Sequence, residues 1–97
     1  MYEPMFLPSA DLDMMEAEAY LEELSPAAAD KLADTLEQNV DNLIEHPFMY
    51  RAYADKPYFR CMPLVYDYLC FYHVDEKAKK IEIHRILRSM RDIQNTL

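Results

Sequence analysis

The dipeptide Ser25-Pro26 restricts this chain more than any other feature. Serine is favoured just before a helix and proline at its first position, so a helix begins here. On the N-terminal side, Leu12, Met15 and Ala19 recur at helical spacing, as do Met14, Ala17, Leu21 and Leu24. On the C-terminal side, Leu32, Leu36, Val40, Leu43 and Ile44 form a second stripe. The spacing predicts one helix over residues 9–24, with Ser9 as its N-cap. It predicts another from Pro26 to Pro47, where a ring without an N–H ends it. With almost no connection between them, the two helices must fold back as an antiparallel hairpin.

The flanks read as strands. Tyr2 to Leu7 is a brief one, and Pro4 suggests an edge position. Residues 47–57 read as a loop. Tyr58–Leu64, Tyr66–Asp75 and Lys80–Leu87 are rich in aromatic and β-branched residues. Asp75-Glu76-Lys77-Ala78-Lys79 is a polar break that joins the last two as a hairpin. Ser89 or Asp92 then opens a short helix running through Leu97. The order β-α-α-β-β-β-α is that of a single α+β domain over residues 1–97, with the helical hairpin packed on a small antiparallel sheet. The chain contains no glycine. That excludes a glycine-rich phosphate loop or a dinucleotide fingerprint, and it leaves the turns to Asp, Asn, Pro or Lys.

Charge divides the chain in two. Residues 1–45 hold twelve acids against Lys31 alone, a net of −11; residues 46–97 hold nine bases and six acids. The overall net charge of −8 argues against non-specific or sequence-specific DNA binding by this chain alone, because such binding begins with phosphate neutralisation. Any anionic surface it recognises falls to the second half. Cys61 and Cys70 read as reduced, buried thiols. His46, His73 and His84 show no ligand spacing, so no metal or cofactor is expected. No apolar run is long enough for a membrane span, and Met1-Tyr2-Glu3-Pro4 lacks a signal peptide's basic start, so the expected location is the cytoplasm.

Several segments taken in order resemble the RelE/ParE superfamily of bacterial toxins. Phe6-Leu7-Pro8-Ser9-Ala10-Asp11-Leu12-Asp13 with Tyr20-Leu21 is similar to its first strand and helix, and Leu24-Ser25-Pro26-Ala27-Ala28-Ala29 to its inter-helix junction. Leu43-Ile44-Glu45-His46-Pro47 resembles the end of its second helix. Phe59-Arg60-Cys61-Met62-Pro63 and Tyr68-Leu69-Cys70-Phe71-Tyr72-His73-Val74-Asp75 resemble its central strands. The best match is Ile81-Glu82-Ile83-His84-Arg85-Ile86-Leu87-Arg88-Ser89-Met90-Arg91-Asp92. The resemblance implies the toxin of a type II toxin–antitoxin module, held inactive by a cognate antitoxin that wraps it with helices or an added strand.

The superfamily holds two activities. RelE-like members cut mRNA on the ribosome; ParE-like members inhibit DNA gyrase by binding. Cutting RNA through its 2′-OH requires a base, an acid and cations for the phosphate. RelE-like enzymes place an Arg directly after the Tyr that opens the strand mapped to Tyr68–Asp75, and here that residue is Leu69. The terminal Tyr or His is also absent from Ile93-Gln94-Asn95-Thr96-Leu97. The tail Arg85-Ile86-Leu87-Arg88-Ser89-Met90-Arg91-Asp92 is closer to the ParE branch, although Arg88 stands where a His is usual. Val65-Tyr66-Asp67 stands where a Gly is common.

The expected contacts to target or antitoxin are therefore Arg60, Arg85, Arg88 and Arg91, with Arg85 also a candidate for a structural ion pair. A nuclease reading, the alternative, would draw on Arg60, His73, Arg85 and Arg88. A remnant that only binds an antitoxin is the third reading. The charge asymmetry places antitoxin docking near the four arginines and makes any segment facing the acidic hairpin apolar or basic.

Overall fold

Pro8 and Pro26 each occupy the first turn of a helix, where the missing N–H costs nothing. The computed structural model, which describes residues 1–97, places α1 at Pro8–Leu24 and α2 at Pro26–Glu45. Ser25 lies between them with extended backbone (φ −168°, ψ 124°), serving α1 as C-cap and α2 as N-cap, without a side-chain capping bond. The hairpin is as expected. Its start differs by one turn position: Leu7, not Ser9, is the α1 cap residue, because Pro8 claims the first helical position. Ser9 is thereby drawn into the helix, and its Oγ donates 2.7 Å to the His84 carbonyl oxygen instead.

The strands are β1 (Glu3–Phe6), β2 (Ala52–Tyr53), β3 (Lys56–Pro63), β4 (Leu69–Asp75) and β5 (Lys80–Leu87), in sheet order β1-β5-β4-β3-β2. The last helix, α3, spans Met90–Thr96, and Ser89 Oγ caps it by accepting the Asp92 N–H at 3.1 Å. Three departures from the sequence reading stand out. The sheet is mixed, not wholly antiparallel, because β1 runs parallel to β5. Between these two strands lies nearly the whole chain, and a crossover of that length can return a strand in either sense. Part of the expected 47–57 loop is strand as well: Ala52–Tyr53 form β2, and Lys56 and Pro57 open β3. Finally, Tyr66 and Asp67 belong not to a strand but to a 3-10 turn, Val65–Asp67, ahead of β4.

That turn takes the left-handed backbone for which glycine is suited. Tyr66 has φ 58° and Asp67 φ 64°; Lys79, closing the β4–β5 hairpin, has φ 56°. A chain without glycine must hold such geometry with side chains present, at about 1–2 kcal/mol for a residue with a Cβ. The hairpin is further braced by the Asp75 carboxylate, which accepts the Ala78 N–H at 3.1 Å.

Period-two alternation divides the sheet's residues between two cores. On one face Met62, Cys70, Tyr72, Ile81, Ile83 and Ile86 meet Ala10, Met14, Ala17 and Leu21 of α1 and Leu32, Leu36, Val40 and Leu43 of α2. Each buried leucine contributes about 1.5–3 kcal/mol. On the other face α3 lays Ile93 over Phe71 and Leu87, with Phe59, Cys61 and Leu69 at the margin. Cys70 is fully buried in the main core while Cys61 is half-buried on the opposite face, so the thiols point apart and both are free. Burial pushes both thiols up from their ordinary pKa.

Candidate functional site

Where β1 ends, β5 keeps β4 on one side but has no strand neighbour on the other beyond Ile83. Phe6 is opposite Ile83, and the Leu7 N–H makes the last ladder bond, to the Ile83 carbonyl at 3.0 Å. Beyond that point α1 takes over the role of a strand through two side chains one helical turn apart. Ser9 satisfies the His84 carbonyl, and Asp13 Oδ2 accepts the Ile86 N–H at 2.9 Å. Asp13 also grips Arg85 with both oxygens, Nε to Oδ2 and Nη2 to Oδ1, each at 2.8 Å. Such a two-pronged pair is strong and directional. It holds the Arg85 pKa above its usual value, chiefly through the hydrogen bond to Asp13. A register shift in the β4–β5 ladder, where Phe71 faces Arg85 but Tyr72 faces Ile83, bends the strand at this place.

Beside this closed edge lies a cleft of about 520 Å³ between α1, the 65–67 turn and the β5–α3 junction. Arg88 lies in it, its guanidinium 5.2 Å from the Tyr20 ring centre and 5.8 Å from that of Tyr68. Contact with Tyr20 and then Tyr68 raises its pKa. Glu16, Asp67 and Asp92 line the same cleft, and none of them enters an ion pair. Arg91, at the start of α3, is exposed and bonded to nothing.

The residues expected at a site do not gather. Arg60 donates 2.6 Å to the Tyr50 carbonyl and lies 4.8 Å over the Phe48 ring, so it fastens the chain after α2 and pairs with no helix carboxylate. Tyr72 donates to the Pro47 carbonyl at 3.0 Å and secures the same segment from beneath. His73 sits on the opposite face from Tyr72, its ring stacked 3.8 Å from Tyr58 and its Nδ1 2.9 Å from the Tyr58 carbonyl oxygen. Arg85 is committed to α1, and Arg88 to the cleft. Leu69 packs beside Phe71 and Leu87 at the margin of the smaller core.

Three participants escaped sequence reasoning: Asp13, Ser9 and the tyrosine pair around Arg88. A signal for Asp13 was present. It falls on the buried stripe of α1 with Ala10, Met14, Ala17 and Leu21, and an acid on an apolar stripe needs a cation. Nothing in the sequence joins Tyr20 to Tyr68, because their approach depends on the 65–67 turn. No three His, Cys, Asp or Glu side chains converge as a metal site requires. No helix is long and apolar enough to cross a membrane.

A helical hairpin on one face of a five-stranded mixed sheet, with a short helix on the other, matches the ParE-like fold. The chain matches the ParE toxin of type II toxin–antitoxin system, parDE, over residues 5–93, and it belongs to that family. The fold is shared with a chain of the chromosomal ParDE TA system from P. aeruginosa: TM-score 0.75 at 22% identity, covering 91% of this chain and 96% of that one. No curated protein sequence matches.

Proposed function

We propose that this protein is the toxin of a toxin–antitoxin pair, that a cognate antitoxin neutralises it, and that it acts by binding a target protein, with DNA gyrase the target the ParE family suggests. One observation carries the choice of binding over RNA cleavage. Of the residues a nuclease would need together, Arg60, His73 and Arg85 are tied to three different parts of the fold, the segment after α2, β3 and α1, while Arg88 packs on Tyr20 and Tyr68. General acid–base work needs its groups within hydrogen-bond reach of one reacting centre. Leu69 supplies neither charge nor proton where RelE-like enzymes carry an arginine. The contact residues are Arg88 and Arg91, whose charged ends face solvent, whereas Arg60 and Arg85 act through the fold.

Inducible expression followed by two separate assays tests this. Gyrase supercoiling should fall in proportion to added protein, and mRNA from induced cells should show no codon-positioned cuts. Cuts that disappear in His73→Ala or Arg88→Ala would replace the binding reading with the enzymatic one.

A further inference from the structure

Arg88 is fixed at both ends. Its backbone lies between Leu87, buried in the smaller core, and Ser89, the cap of α3. Its guanidinium lies within cation–π range of two rings, Tyr20 at 5.2 Å and Tyr68 at 5.8 Å. Tyr20 belongs to α1, on the face that also brings Asp13, Glu16 and Ala17 to the cleft. Tyr68 directly follows the 65–67 turn. Two segments far apart in sequence thus converge on one cation.

The turn is the strained part of this arrangement. Tyr66 and Asp67 both hold left-handed backbone without being glycine. The Leu64 N–H donates 2.8 Å to the Tyr68 carbonyl, and the Tyr68 N–H donates 3.3 Å to the Val65 carbonyl. The loop therefore closes on Tyr68 itself and sets its side chain into the cleft wall. Tyr68 is buried in the main core, so its ring is a fixed surface against which Arg88 rests. Backbone strain of this kind persists where the surroundings enforce it, and it gathers at sites of function.

An arginine already held by its neighbours loses less side-chain freedom on docking than a free one. Arg88 enters no ion pair, although Glu16, Asp67 and Asp92 line the same cleft. It is held, yet its charge is not neutralised. Those three carboxylates repel a run of phosphates, which favours an acceptor on a protein surface over a nucleic-acid backbone.

We infer that Tyr20 and Tyr68 are positioning residues, which hold the Arg88 guanidinium in the cleft ready for an acceptor oxygen on the target protein, and that the left-handed 65–67 turn exists to place Tyr68. The inference rests on the proposed gyrase-binding role and adds the residues that prepare its contact.

Inhibition of gyrase supercoiling by the purified full chain provides the test. Arg88→Ala should raise the half-inhibitory concentration about tenfold or more, as expected of a central arginine contact. Tyr20→Leu should raise it about two- to fivefold. In the Arg88→Ala background the same Tyr20→Leu change should alter it by less than about twofold, because a residue that acts only through Arg88 has nothing left to act on. The Arg88 side-chain N–H resonance, assigned by its loss in Arg88→Ala, should move towards the position of free arginine in Tyr20→Leu and in Tyr68→Leu. Thermal melts establish folding; Tyr20 is 46% exposed, so its variant carries the test even if Tyr68→Leu does not fold. Undiminished inhibition by Tyr20→Leu, an equal further loss in the Arg88→Ala background, or an unmoved Arg88 resonance would overturn the inference alone. So would binding of duplex DNA by the chain without gyrase, if Arg88→Ala abolished it. No inhibition by the unaltered chain would overturn the gyrase reading and, with it, this inference.

Discussion

Asp13 of α1 and Arg85 of β5, 72 residues apart in sequence, meet through two parallel 2.8 Å hydrogen bonds, and the same carboxylate closes the edge of the sheet at the Ile86 N–H. One side chain thus neutralises a cation and stands in for a missing strand. Removing it exposes both needs together. Asp13→Ala should destabilise the protein by about 2–3 kcal/mol, below the full cost of breaking a buried pair because Arg85 retains some solvent contact. Arg85→Met should cost less, since Asp13 keeps the Ile86 N–H. Urea unfolding of both variants measures the difference; an equal loss would show that the edge contact contributes nothing.

The left-handed turn ahead of β4 allows a test of backbone strain. Tyr66 is partly exposed and holds φ 58°. Asparagine tolerates that region and β-branched residues do not. Tyr66→Asn should be neutral or stabilising by a few tenths of a kcal/mol, whereas Tyr66→Val should destabilise by about 1 kcal/mol or more. Denaturation midpoints in the reverse order would mean that the tyrosine ring, not the backbone, governs the turn.

Alkaline titration should reveal Tyr72. Burial pushes its phenol up to about 12, above the ordinary value near 10. The folded state therefore holds this proton more tightly than the unfolded chain does. The resulting stability is present in full below pH 10 and is lost as pH rises from about 10 towards 12. Melting temperatures across that range should fall more steeply for the unaltered chain than for Tyr72→Phe. The variant itself should lose about 1 kcal/mol with the bond to Pro47.

Arg88 and Arg91 should behave differently from Arg60. Arg88→Ala/Arg91→Ala should leave the melting temperature within a few degrees while reducing growth inhibition on induced expression. Arg60→Ala should lower the melting temperature by releasing the 48–50 segment. Full growth inhibition by the folded double variant would remove these two arginines from the contact surface.

The helical hairpin was legible because Ser25-Pro26 is a local signal and the stripes on either side have a period no strand shares. The edge position of β1 was legible for the same kind of reason, from Pro4. Its parallel pairing was not, since direction is decided by where β5 ends and not by residues 2–7. The 65–67 turn was hidden by composition: Val65 and Tyr66 have strand preferences, and without glycine nothing announced a left-handed backbone. At the site, a structural pairing for Arg85 could be anticipated from a charge in an apolar strand, but its partner lay on another element. The separation of Arg60 from Arg88 depends on tertiary contacts alone.

The closure of the sheet edge also bears on synthesis at the ribosome. Ser9 waits for the His84 carbonyl and Asp13 for Arg85 and Ile86, while β1 waits for β5, across sequence separations of 72 to 77 residues. The hairpin therefore emerges with Leu32, Leu36, Val40 and Leu43 uncovered, and it stays so until the last strand has left the exit tunnel. During translation the nascent chain is a pair of adhesive helices without the arginine junction that follows β5. The interval in which it can be captured by a chaperone, or by a partner helix already present, therefore precedes the moment at which its contact surface exists.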